Sequence, residues 1–221
     1  DTAGRVDTET DALGRDTTYA YDPDTGLVDT VTAPTGETAY TYDDLGRVVT
    51  VTDPRGGVTS TAYTPGGRTD TVTDPVGLVT DYAYDAAGRT STVTAPGGHV
   101  TTYGYNADSR VTSVTSPEGD VTATTYDMMG RVLTVTDPAG VVTTNTWSLR
   151  GELLTQGTSG AGTVEYSYDA AGQLAWVDDA LDHRSAFTYD ARGRELTRTD
   201  ANAEVWSTAW NAAGEKVSET D

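Results

Sequence analysis

The sequence predicts an all-β protein: an extended antiparallel sheet of repeated β-hairpins, one hairpin every 21 residues, curling as a solenoid-like ribbon. Three observations carry that expectation. An aromatic recurs every 21 residues from Tyr21 to Trp210. Turn-forming tetrapeptides fall at two places in each interval. Between the turns the chain is rich in Thr, Val and Tyr with alternating polarity, the pattern of half-buried strands.

Composition supports the same reading. The 221 residues carry a formal net charge of −20 and only 35 Val, Leu and Phe, with no isoleucine and no cysteine. On aliphatic content and charge alone such a chain falls among disordered proteins. Its 43 threonines, 13 tyrosines, 4 tryptophans and 24 glycines restore the balance, because they are the residues of strands and tight turns. They are poor helix formers, so long helices are excluded. Without cysteine no disulfide staples the fold. No stretch approaches the roughly 18 apolar residues of a membrane-spanning helix, so no membrane insertion is expected. A pI near 4.1 and a single lysine, Lys216, argue against nucleic acid as a partner, since phosphate-neutralising charge is missing. With no initiator Met and no signal peptide, the chain reads as a segment of something longer that begins inside a repeat.

The aromatic column comprises Tyr21, Tyr42, Tyr63, Tyr84, Tyr105, Tyr126, Trp147, Tyr168, Tyr189 and Trp210. After each comes a residue able to hydrogen-bond backbone amides in a turn, for example Asp43, Asp85, Asn106, Asp127 and Asp190. Glycine follows three residues later in most copies, as at Gly46, Gly88, Gly130 and Gly193. Asp first and Gly fourth marks a type I turn. A second turn lies halfway round each unit, as in Asp53-Pro54-Arg55-Gly56 and Asp74-Pro75-Val76-Gly77, with proline pre-set for its second position. The six or seven residues between turns alternate throughout, so Val51 and Thr50 are expected on opposite faces. Valines of the outgoing strand (Val51, Val72, Val93), valines of the return strand (Val58, Val79, Val100) and aromatics such as Tyr40 and Tyr82 should form one stabilising ladder. From about residue 147 the pattern weakens. A flexible turn over 156–162 replaces the proline turn, and Ala180 and Ala201 stand where prolines stood. The whole of 1–221 is expected to be a single array of about ten repeats.

The consensus Tyr-Asp-x-x-Gly-Arg, seen at Tyr42-Asp43-Asp44-Leu45-Gly46-Arg47, Tyr84-Asp85-Ala86-Ala87-Gly88-Arg89, Tyr126-Asp127-Met128-Met129-Gly130-Arg131 and Tyr189-Asp190-Ala191-Arg192-Gly193-Arg194, resembles the YD repeat. That repeat occurs in bacterial Rhs proteins, wall-associated protein A, insecticidal toxin complex shells and animal teneurins. Arg gives way to Glu152, Gln173 and Glu215 in three units. The resemblance implies hairpins paired side by side into a sheet that spirals into a hollow β-shell, which in bacterial members holds a variable C-terminal toxin. It also implies a secreted or cell-surface location.

Elementary geometry agrees with that implication. About twenty strands spaced roughly 4.8 Å apart make a sheet near 100 Å long and only about 20 Å wide. Such a sheet has no second layer to cover its faces, and native twist makes it curl. Its edges and faces call for neighbouring repeats, an enclosed polypeptide or another copy of the chain.

Candidate chemistry is sparse. His99 and His183 occupy one repeat position four units apart, roughly 38 Å along a sheet, too far to share a metal. They read as polar residues flanking turns. The pair Asp53-Pro54-Arg55-Gly56 and Asp74-Pro75-Val76-Gly77 resembles the motif by which Rhs proteins cut off their own C-terminal toxin, yet the repeat itself generates the same tetrapeptide every 21 residues. Asp22-Pro23-Asp24-Thr25-Gly26 lacks the further ligands of a calcium loop. No catalytic residue, cofactor or metal is therefore assigned, and the site residues are the structural signature positions already named. The leading expectation is a non-enzymatic shell segment that encloses or presents a toxin. The alternative is an adhesin-like stalk that binds glycans or a cell-surface receptor.

Overall fold

The computed structural model describes residue 1 and residues 3–220, with 21 strands and no helix among them. The chain resolves into two compact units, Asp1–Tyr103 and Gly104–Asp221. In the first, each strand pairs antiparallel with the next, from Thr8–Thr10 onward to the strand that begins at His99. In the second, the same succession runs from Val111–Thr115 to Lys216–Thr220. Consecutive pairing follows from the short turns, which leave an antiparallel neighbour as the only strand within reach.

Register sorts the side chains onto two faces. In the first unit Tyr40 lies opposite Val51, which lies opposite Thr59, and Tyr82 lies opposite Val93. The other face carries Thr41, Thr50 and Ser60 in a row, with the Thr41 and Thr50 hydroxyls 2.6 Å apart. The second unit repeats the hydroxyl pairs at Thr125/Thr134 (2.7 Å) and Thr188/Thr197 (2.6 Å). Such cross-strand pairs are the local unit of sheet stability.

Two expectations need correction here. The return-strand valines do not join the aromatic ladder: Val58 lies opposite Thr52, on the threonine face, and is 42% exposed. Nor does alternation persist along the whole strand. The signature turn pairs Tyr42 with Val48, whereas one step away Thr41 pairs with Thr50, so Val49 is left over as a β-bulge. A register shift falls beside the signature aromatic at the same place in other repeats, for example at Tyr84, Tyr126 and Trp147. The five-residue turn and the strand above it demand registers one residue apart, and the bulge reconciles them.

Among the described residues no hydrophobic side chain is buried, and Asn145, 8% exposed, is the single buried polar one. Asn145 Nδ2 donates to the Val132 carbonyl (3.3 Å), and its Oδ1 accepts from Gln156 Nε2 (3.2 Å). That contact belongs to another correction. Gln156 and Gly157 are not part of a turn: the strand Leu153–Thr158 includes them, and the reversal shrinks to Ser159, Gly160 and Ala161, closed by Ala161 N–H donating to the Thr158 carbonyl (3.0 Å). Pairing of Gln156 with both Asn145 and Val164 holds the segment in the sheet.

Where the turn glycine is replaced, the backbone still takes the same conformation, with Asp182 at φ 62° and Ala203 at φ 63°. A left-handed residue bearing Cβ costs roughly 1–2 kcal/mol. Ala203→Gly should therefore stabilise the second unit by about 1 kcal/mol, raising its thermal midpoint by about 2–4 °C. A lowered midpoint in a thermal melt would contradict the strain.

Candidate functional site

The signature turn is built from its aspartate outward. Asp127 Oδ1 accepts the N–H groups of Met129 and Arg131, both at 2.9 Å, while its Oδ2 receives Arg131 Nε and Nη2, both at 2.6 Å. Gly130 N–H closes the turn on the Asp127 carbonyl (3.0 Å) at φ 86°, a conformation glycine adopts without steric cost. Asp43, Asp85 and Asp190 bind Arg47, Arg89 and Arg194 in the same way. Hydrogen bonds from the arginine side chain, then from backbone N–H groups, hold the Asp43, Asp85 and Asp190 carboxyls below the usual range. At Asp127 the Arg131 N–H leads.

The arginine thus fixed reaches the next hairpin. Arg47 lies over the ring of Tyr63 (4.3 Å to the centroid), Arg68 over Tyr84 (5.5 Å), Arg110 over Tyr126 (5.9 Å), Arg131 over Trp147 (5.7 Å) and Arg194 over Trp210 (5.4 Å). The polar end of the same ring bonds the residue that follows that arginine. Tyr63 Oη donates to the Val48 carbonyl (2.7 Å), Tyr84 Oη to Thr69 (2.7 Å), Tyr126 Oη to Val111 (2.7 Å), Trp147 Nε1 to Val132 (2.9 Å) and Trp210 Nε1 to Glu195 (2.8 Å). Tyr21, Tyr42 and Tyr189 make the equivalent bond to Val6, Val28 and Leu174. Tyr105 ends the strand His99–Tyr105, and Tyr168 ends Gly162–Tyr168.

These joints link each hairpin to its neighbour, which is the role the geometry gives the signature. Sequence reasoning found the residues but not the partnership, treating the aromatics as stacking on one another. A signal was available: Arg5, Arg47, Arg68, Arg110, Arg131 and Arg194 each precede an aromatic by 16 residues. Where the arginine is absent, Leu27, Glu152 and Gln173 stand in its place.

The remaining candidates separate. Asp53 Oδ1 accepts N–H groups from Arg55 and Gly57 (both 2.8 Å), and Asp74 Oδ1 accepts those of Val76 and Leu78 (both 2.9 Å). The Gly57 and then the Arg55 N–H lower the Asp53 carboxyl, opposite to the raised proton affinity that proton sharing gives one member of a catalytic carboxylate pair. His183 lies 3.0 Å from Asp179 Oδ2 across its own turn, and His99 opens an exposed strand end.

A hairpin array with arginine–aromatic joints defines a repeat protein of the Tyr-Asp-x-x-Gly-Arg class. The family model described as RHS Repeat matches residues 24–58, 63–100, 84–121 and 105–142, together more than half of the sequence, and the chain belongs to that family. No curated protein matches it. Among solved structures it is similar to a crystal structure of TcdB2-TccC3 (18% identity, TM-score 0.73), covering 95% of this chain and 13% of that one. It is likewise similar to TcdB2-TccC3-Cdc42 (16%, TM-score 0.72; 96% and 14%) and to the Photorhabdus luminescens Tc holotoxin pore (17%, TM-score 0.57; 96% and 14%). These likenesses establish a shared fold, and the chain spans about one seventh of the solved chains' length.

Proposed function

We propose that this chain is a structural wall segment of a secreted or surface shell that encloses or presents another polypeptide, a toxin in the bacterial pattern, without catalysis of its own. The observation that carries the reading is the joint. It couples each hairpin to the next by the same contacts and builds wall rather than pocket, while both faces of each single-layer unit stay only half-covered. Family membership and the fold shared with TcdB2-TccC3 support it. On this reading 1–221 works as one array, with curvature accumulating from the twist added at each bulge. Limited proteolysis of the complete gene product tests the proposal. A fragment outside the repeats should survive a protease that digests the same fragment expressed alone, and should become sensitive once the array is unfolded. Equal digestion rates in both settings would overturn it in favour of an open stalk.

A further inference from the structure

One joint in the second unit is reversed in charge. Six arginines lie over the aromatic of the following repeat, at 4.1 to 5.9 Å from the ring centroid. Ahead of Tyr168 the corresponding residue is Glu152. Of the other replacements, Leu27 packs against Gly46 and Gln173 against Gly193, so each fills its slot with an uncharged side chain. Glu152 instead brings a carboxylate, with Oε2 accepting the Ser148 hydroxyl (2.6 Å).

A second carboxylate adjoins it. Asp169 Oδ1 caps its turn by accepting the Ala171 and Gln173 N–H groups (2.8 and 2.9 Å). At Asp127 the other carboxylate oxygen receives an arginine, but the turn of Asp169 ends in glutamine and supplies none. Ser148, Leu149, Glu152, Tyr166, Tyr168 and Asp169 line a cleft of about 410 Å³. Arg150 also borders it, with its Nη1 donating to the Ala170 carbonyl (3.2 Å). Partial burial, then Tyr166 and Glu152, raises the Tyr168 phenol, as expected of a site that favours positive charge.

We infer that this cleft receives the guanidinium of an arginine from another polypeptide, lying over the Tyr168 ring between Glu152 and Asp169. The neighbouring repeats show the chemistry: guanidinium against an aromatic face, with its N–H groups on a carboxylate. A planar, weakly hydrated cation suits a ring and two carboxylates better than an ammonium does. The inference stands whether or not the array walls a shell, because it concerns only the charge and shape of this cleft.

The probe is Nα-acetyl-arginine methylamide, with the citrulline analogue as its uncharged isostere, titrated into the full chain labelled at tyrosine rings and followed by NMR. The arginine probe should shift the Tyr168 resonances saturably, and the citrulline analogue should not. Glu152→Gln should weaken binding about fivefold, the upper value for a partly exposed ion pair. Glu152→Arg restores the arginine of the repeat, should raise the melting temperature by about 2 °C, and should abolish the shift because the site is then filled from within. Equal response to citrulline, no saturable shift, or undiminished binding by folded Glu152→Arg or Glu152→Gln would overturn the assignment.

Discussion

Gly36→Ala should destabilise the first unit by about 3 kcal/mol, lowering its thermal midpoint by about 6–12 °C. Gly36 ends the short reversal Ala33-Pro34-Thr35-Gly36, paired with Ala33, at φ 125°. That region of backbone space is nearly closed to residues with Cβ. A methyl added there would also lie 2.6 Å from Pro54 Cβ and 3.6 Å from Pro54 Cα. The proline ring is held by its fixed φ and cannot swing aside as a long side chain would. Gly56→Ala is the control, since its φ is 83° but nothing lies within 4 Å of the added methyl. It should cost only the backbone strain, roughly 1–2 kcal/mol. The difference between the two variants in urea titrations isolates the contact between successive half-way turns. Equal losses would show that this contact contributes nothing.

Fold class, repeat length and both turn types were legible because each rests on local chemistry repeated many times. Asp43, Gly46 and Arg47 announce their turn without help from the rest of the chain, and Val51 against Thr50 announces the two faces. What escaped was non-local. The Val49 bulge arises from a conflict between the register of a turn and that of a strand, and nothing at Val49 itself signals it. The partnership of Arg47 with Tyr63 spans two strands, so a within-repeat reading takes the arginine for a solvated charge. Gln156 shows the converse error: a run rich in Gly and Ser reads as a turn, yet pairing with Asn145 and Val164 keeps its first residues in the sheet. In each case tertiary pairing decided against local propensity.

Tyr126→Ala should cost about 2–3 kcal/mol, though not for the reason that applies to a core aromatic. No hydrophobic side chain among the described residues is buried, so the cavity term that dominates large truncations in a core is small here. The loss comes instead from three parts of the joint: half-covered ring area, the hydrogen bond from Tyr126 Oη to the Val111 carbonyl, and the Arg110 guanidinium over the ring. The parts can be measured one at a time. Tyr126→Phe keeps the ring and should cost about 1 kcal/mol, the usual net worth of one hydrogen bond. Arg110→Ala should cost about 0.5–1 kcal/mol for the cation over the ring. The double variant Arg110→Ala with Tyr126→Ala should then fall short of additivity by a similar amount. His99→Ala, at an exposed strand end outside any joint, should change stability by less than about 0.5 kcal/mol. In an array each hairpin contacts only its neighbours, so losing one joint should also split the unfolding of the second unit near residue 126 and broaden its transition. If Tyr126→Ala proves as mild as His99→Ala, the aromatic column carries no stability and its rings are open to ligands along its length.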